Sequence, residues 1–195
     1  ASGGGTDTIT ESADGGVDTL DYSDYGAPVA VSLAAGSATG TAGVAHVEAV
    51  AGSGANDVLA GSTGDDTFYF ADGWGADTIA DATTADNDTL DFAAVTGDLT
   101  FTIHADGTVS VTDGTNTVTA AAGVESLRGG SGANRFVFAD TAAVRGTIAG
   151  GLAGTTTLDY SAYTTAVVAD LTARTSTGTA GVANIDNVVG GAGAD

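Results

Sequence analysis

The chain has no cysteine and no lysine, one proline and one tryptophan, and only four arginines and two histidines against 25 acidic residues. Without cysteine, neither a disulfide framework nor a thiolate metal site can be built. The scarcity of basic residues leaves a net charge of −21. A surface of that sign repels nucleic acid and anionic membrane, so neither is expected as a partner. No apolar run is long enough to span a bilayer, and no membrane insertion is expected. The sequence holds no apolar h-region either, so any export signal is expected outside it. There is no H-E-x-x-H, no G-x-S-x-G and no phosphate-binding loop. Paired carboxylates occur only because aspartate is abundant, which carries no glycosidase signal. The chain is therefore read as not an enzyme.

What is present is glycine, 31 residues of it, and 43 % apolar residues that recur at regular steps. Aperiodic Gly, Thr, Ala and Asp would indicate disorder; this periodicity indicates an ordered array instead. Its centre is Gly52-Ser53-Gly54-Ala55-Asn56-Asp57-Val58-Leu59-Ala60, followed at once by Gly61-Ser62-Thr63-Gly64-Asp65-Asp66-Thr67-Phe68-Tyr69. Each nine-residue unit opens with small residues, then presents an acid, a spacer and a large apolar residue. Glycine permits backbone with φ > 0 and leaves carbonyls uncovered, so carboxylate and carbonyls together form an oxygen cage for a hard cation. The apolar residue two places on enters a core between stacked strands. Acids in this position run Glu48, Asp57, Asp66, Asp77 and Asp88, at steps of 9, 9, 11 and 11. Asp7 and Asp18 before them, and Asp186 and Asp195 near the other end, repeat the step more weakly. Candidate carbonyl ligands are Gly52, Gly54, Gly61, Thr63, Gly73 and Gly75. Oxygen-only donors, with His46 and His104 sharing no motif, point to Ca²⁺ rather than zinc. Asp21, Asp91 and Asp159 follow the apolar position and read as solvated strand ends. Trp74, Tyr22, Tyr25 and Phe70 are aromatic enough for a sugar-stacking face, although single aromatics in such an array usually cap the core.

These units resemble the glycine-rich nonapeptide G-G-x-G-x-D-x-U-x of the RTX (hemolysin-type) calcium-binding repeat family. Ala55 stands where the fourth-position glycine is expected, and Ser62 replaces a second glycine. The resemblance implies a parallel β-roll with Ca²⁺ in its turns and secretion in an unfolded state followed by folding outside the cell. In such a roll consecutive units occupy opposite edges. Glu48, Asp66 and Asp88 should then line one edge and Asp57 and Asp77 the other, with the extra residues before Asp77 and Asp88 absorbed as turn bulges.

A longer period overlies the short one. Leu20-Asp21-Tyr22-Ser23 returns as Leu158-Asp159-Tyr160-Ser161, and the same shift of 138 carries Asp57 onto Asp195 with about half of the aligned residues identical. Weaker matches near half that shift indicate a copied unit of about 69 residues. Residues 1–57 read as a first unit, 58–135 as a second with the strongest calcium turns, and 136–195 as degenerate turns and a third unit. Within the second unit, Leu99–His104, Thr108–Thr112 and Thr117–Thr119 alternate around Asp106-Gly107 and Asp113-Gly114, which predicts an antiparallel hairpin excursion. Asn134, Gly146 and Thr156 stand where a copy of the acids at 66, 77 and 88 would fall. That copy is expected to bind metal poorly, and Arg128, Arg135 and Arg145 beside it are read either as bonding turn carbonyls in the cation's place or as solvated charges that moderate an acidic surface. Both ends fall inside a motif, so the sequence is read as a segment of a longer protein. The fold expected is all-β, a parallel β-roll or β-solenoid. The function expected is a calcium-binding structural region of a secreted surface-layer, adhesin or filament protein that rigidifies on Ca²⁺. Its partners would be calcium ions and further copies of itself or of neighbouring repeats. The alternative is the calcium-dependent accessory region of a secreted protease, lipase or epimerase.

Overall fold

In a computed structural model, which describes residues 7–12, 15–81, 83 and 85–195, the chain is all-β, with no helix among the described residues. Two sheets dominate. The seven-stranded sheet contains, in spatial order, Thr19–Asp21, Ala49–Ala51, Thr67–Ala71, Asp88–Ala94, Val124–Arg128, Thr147–Ala149 and Gly181–Ala183, all parallel. The ten-stranded sheet runs from Asn187–Val189 through Thr156–Asp159, Asn134–Phe138, Leu99–Ile103, Val109–Thr112, Thr117–Ala120, Ala76–Ala80, Val58–Ala60 and Ala30–Ser32 to Ser37–Ala38. From Ala49 onward the chain passes back and forth between the two sheets, which share one core. The arrangement is consistent with a β-helix or β-roll type of fold.

Side-chain alternation along a strand decides what enters the core. In Ala76–Ala80 it turns Asp77 and Ile79 inward together, and in Thr67–Ala71 it turns Phe68 and Phe70 inward. Parallel register then stacks equivalent residues into rows. Leu20, Val50, Phe68, Leu90, Leu127, Ile148 and Val182 form one continuous row along the seven-stranded sheet. Aromatic rings reinforce the interior: Phe70 stacks on Phe92 at 4.4 Å, Phe101 on Phe136 at 4.3 Å and Phe138 on Tyr160 at 4.4 Å. Phe92 meets Phe101 edge to face at 5.4 Å and so joins the two sheets.

The predicted excursion is a three-stranded antiparallel meander, Leu99–Ile103, Val109–Thr112 and Thr117–Ala120, turning at Gly107 (φ 85°) and Gly114 (φ 94°). It does not leave the body of the fold. Its outer strands pair in parallel with Asn134–Phe138 on one side and Ala76–Ala80 on the other, so it is spliced into the ten-stranded sheet. Two consequences follow. Between Ala76–Ala80 and Asn134–Phe138 stand three strands, whereas between Thr67–Ala71 and Val124–Arg128, the strands that precede these two in the chain, stands only one. The row that carries Asp77 also continues through the meander as Val118, Val111 and Phe101, apolar residues in place of acids.

The 138-residue correspondence reappears as hydrogen bonds. The Tyr22 hydroxyl donates to the Thr39 carbonyl and the Tyr160 hydroxyl to that of Thr177. The Val29 N–H donates to Asp57, and the Val167 N–H to Asp195. Equivalent strands nevertheless lie in opposite sheets: Thr19–Asp21 belongs to the seven-stranded sheet and Thr156–Asp159 to the ten-stranded one.

Because Phe101 is fully buried at the junction of both sheets, Phe101→Ala should lower stability by about 3–5 kcal/mol. A urea titration followed by Trp74 fluorescence checks this, and a loss below about 1 kcal/mol would contradict the central place given to that ring.

Candidate metal centre

The acid that opens each pass is interior because it shares a face with the apolar residue two positions on. Asp57, Asp66, Asp77 and Asp88 are each at most 3 % exposed. Their placement follows the alternation read from the sequence. Glu48, Asp66 and Asp88 enter strands of the seven-stranded sheet, and Asp57 and Asp77 strands of the ten-stranded one.

A buried carboxylate must find donors, and here it takes them from the preceding pass. The Asp57 N–H donates to Asp77 Oδ1 at 2.9 Å, that of Asp66 to Asp88 Oδ1 at 2.8 Å and that of Asp88 to Glu125 Oε2 at 3.0 Å. Asp18 donates likewise to Glu48, Thr156 to Asp186, Val29 to Asp57 and Val167 to Asp195. The backbone completes each rung, since the carbonyls of Asp57 and Asp66 accept from Thr78 and Thr89, the residues just after the accepting acids. Side-chain bonds thus extend the parallel ladder by one position at its edge.

The turns supply further donors. Ser53 gives its N–H to Asp57 Oδ2 at 2.5 Å and its hydroxyl to Oδ1 at 2.9 Å, and the Ser62 N–H bonds Asp66 Oδ2. Serine in the second position is therefore a cap for the acid. The first-position glycine is steric: a Cβ at Gly52 would sit 2.6 Å from Asp57 Oδ2, and one at Gly61 2.8 Å from Asp66 Oδ2.

Three oxygens still lack donors. Asp66 Oδ1, Asp77 Oδ2 and Asp88 Oδ2 are buried without a hydrogen-bond partner. Asp77 Oδ2 has no counterpart of the Ser53 and Ser62 N–H donations, and Gly73 stands four residues before it where those serines stand. Burial, with the field of Asp57, pushes its carboxyl up to about 7. Gly52, Gly54 and Gly73, three of the predicted carbonyl ligands, line a cavity of about 80 Å³ with Asp77 and Trp74, whose Nε1–H is also without a partner. Two other predicted carbonyls are engaged in backbone bonds: Gly61 accepts from Ala34 and Gly75 from Thr117. Thr63 lies in an exposed turn. Asp7 is exposed in a separate two-stranded sheet with Thr41–Ala45, while Asp18 and Glu48 are half-buried and Asp186 and Asp195 exposed.

The acids before Asp88 are a finding that spacing alone did not reveal. The residues expected to form a bulge are a loop bearing Asp81 and Asp86. Carboxylate oxygens of Asp81, Asp86 and Asp88 all lie within 4.8 Å of one another, and these three can hold a metal ion. Burial, the adjoining Asp81 carboxyl and the field of Asp66 raise the Asp88 carboxyl well above its ordinary range. Asp66 and Glu125 are also raised, first by burial and then by the fields of Asp81 and Asp86. The signal in the sequence is the density of acid in Asp81–Asp88, where Asp81 and Asp86 fall off the sixth position of the repeat.

For Arg128 and Arg135 the expectation of carbonyl partners is corrected. Arg128 pairs with Asp91 Oδ2 at 3.0 Å, and Arg135 donates from Nε to Asp159 Oδ2 at 2.9 Å. These partners are buried, not solvated, and their other oxygens cap the N–H groups of Ala93 and Ser161. The group that does bond turn carbonyls is Asn134. Its Oδ1 accepts from Gly130, and its Nδ2 donates to the carbonyls of Gly130 and Gly132 at 3.0 Å each. The suggested aromatic face is likewise interior: Tyr22, Phe70 and Trp74 are at most 9 % exposed, and of the four only Tyr25 reaches solvent.

Compared with protein-family models, with curated proteins and with solved structures, the chain matches none of them.

Asn134→Asp removes both amide donors and sets a carboxylate against two carbonyls. In chelator, the variant should lose on the order of 3 kcal/mol of stability. Equilibrium denaturation checks this, and a neutral effect would show that the amide bonds contribute little.

Proposed function

We propose that this chain is a calcium-binding structural region of an extracellular bacterial surface protein, a β-roll of RTX type that is stiffened by Ca²⁺. The observation that carries the reading is the contrast between Asn134 and its acidic counterparts. Where the turn position holds an amide, two N–H groups tie the glycine carbonyls together. At Asp66, Asp77 and Asp88, though not at Asp57, a buried carboxylate leaves an oxygen without a donor, and a cation bonded to carboxylate and carbonyls would take the amide's part. Ca²⁺ suits such a position, since it accepts six to eight oxygen ligands in flexible geometry, whereas Mg²⁺ demands a tight octahedron and keeps its waters.

The net charge of −21 works in the same direction. Without a cation the acids of successive passes repel one another across the edges of both sheets. Calcium would neutralise those edges, and its binding free energy would become folding free energy. Modules that work outside cells do so at roughly 10⁻⁴–10⁻³ M Ca²⁺, which matches an extracellular setting. A stack of repeated passes around one continuous core favours a structural role.

Far-UV circular dichroism of the chelator-treated chain, titrated with Ca²⁺ and separately with Mg²⁺, tests the proposal. Gain of β signal with Ca²⁺ at millimolar or lower concentration, and little with Mg²⁺, is expected. A spectrum indifferent to both ions would leave a metal-independent acidic stack and overturn the reading.

A further inference from the structure

We propose that Asp81, Asp86 and Asp88 form a discrete divalent-cation site, separate in construction from the glycine turns, which locks the base of the meander and takes Ca²⁺. This rests on the calcium reading above and specifies where one ion binds and what it holds.

The three carboxylates lie within 4.8 Å of one another. Ca²⁺ bonds oxygen at 2.3–2.6 Å, so two ligands on opposite sides of one ion stand about 5 Å apart, and all three groups fit within a single coordination sphere. A second observation gives the cluster a direction. Asp88 is fully buried with Oδ2 unpartnered, and Asp66, outside the cluster, is 1 % exposed with Oδ1 unpartnered. Both side chains border Gly61, where a Cβ would lie 2.8 Å from Asp66 Oδ2 and 3.6 Å from the unpartnered Asp88 Oδ2. Solvated acids do not leave buried oxygens without donors, because the cost of each is not returned. Burial also selects the ion, since Mg²⁺ gives up its water reluctantly.

The cluster has the construction of a clamp. Thr83 holds Asp86 through its hydroxyl at 2.6 Å, and Asn87 donates its N–H to Asp65 in the preceding pass. On the other side the loop presses on Gly123, where a Cβ would lie 2.7 Å from the Thr83 carbonyl and 2.9 Å from Asp81 Cβ. Gly123 immediately precedes Val124–Arg128, the strand that follows the meander, and Asp88 is bonded to Glu125 in that strand. An ion at this point would fix the loop that packs on Gly123 and bonds Glu125, and so brace the chain before the meander against the chain after it. The acids of the glycine turns join only successive passes.

The test uses the whole chain, with Ca²⁺ as the probe, and compares wild type, the double variant Asp81→Asn/Asp86→Asn, and Asp57→Asn as a turn control. Calorimetric titration should show the double variant losing one Ca²⁺ per chain and its tightest step weakening at least about tenfold, because affinity follows ligand charge. Asp57→Asn should keep that step. Hydrogen exchange in Ca²⁺ should quicken at Gly123, Val124 and Asp88 in the double variant while Val50 and Phe68 stay protected. If wild type binds Ca²⁺ and the double variant binds the same number with the same affinity, the loop site is wrong and the general reading stands. Absence of Ca²⁺ binding by wild type would remove both.

Discussion

Everything in this fold depends on how a carboxylate can be kept inside a parallel stack. The acid and the core residue of each pass are two positions apart and so share a face, which means the side chain that would prefer water is carried inward with the one that would not. The rung from the preceding pass resolves the conflict. A backbone N–H at the strand edge, which parallel pairing would leave unsatisfied, donates to the next pass's acid, as from Asp57 to Asp77 and from Asp66 to Asp88. Two liabilities, an open edge donor and a buried acceptor, cancel each other. Serine and glycine at the head of the turn complete the arrangement, serine by donating and glycine by leaving space.

The meander shows what happens when the rule is suspended. It places Val118 in the row of Asp77, so the rung series on that edge stops there for want of a next carboxylate. On the opposite edge the series runs on, through Asp88 to Glu125. The acids that remain underserved are thus grouped near the splice and not spread along the stack. Asn134, beyond it, satisfies its turn with its own amide hydrogens.

Much of this was legible in the sequence. The acid, spacer, apolar step gave the edge on which each acid from Glu48 to Asp88 falls and the core residues from Leu20 to Leu127, while Ile148 and Val182 continue the row with no acid two positions before them. Alternation around Asp106-Gly107 and Asp113-Gly114 gave the meander. Other features depend on what lies across a pairing, which no local pattern encodes. Asp91 and Asp159 look solvent-bound until Arg128 and Arg135 are brought beside them from other passes. Asp81 and Asp86 break the nonapeptide period and so appear as filler, although the fold carries them back to Asp88. The 138-residue likeness holds at the level of turns and bonds, but its copies change sheets, because a match in sequence says nothing about how many crossings separate its two members.

The unequal strand count around the meander has a geometric outcome. Three strands on one face stand opposite one on the other, so over the same stretch the ten-stranded side is longer by two strand spacings, roughly 10 Å. A stack built with such an inequality is a wedge, wide on one side and narrow on the other. A chain that repeated it at intervals would trace an arc with the seven-stranded sheet on the inner curve, and the spacing of meanders would set the radius.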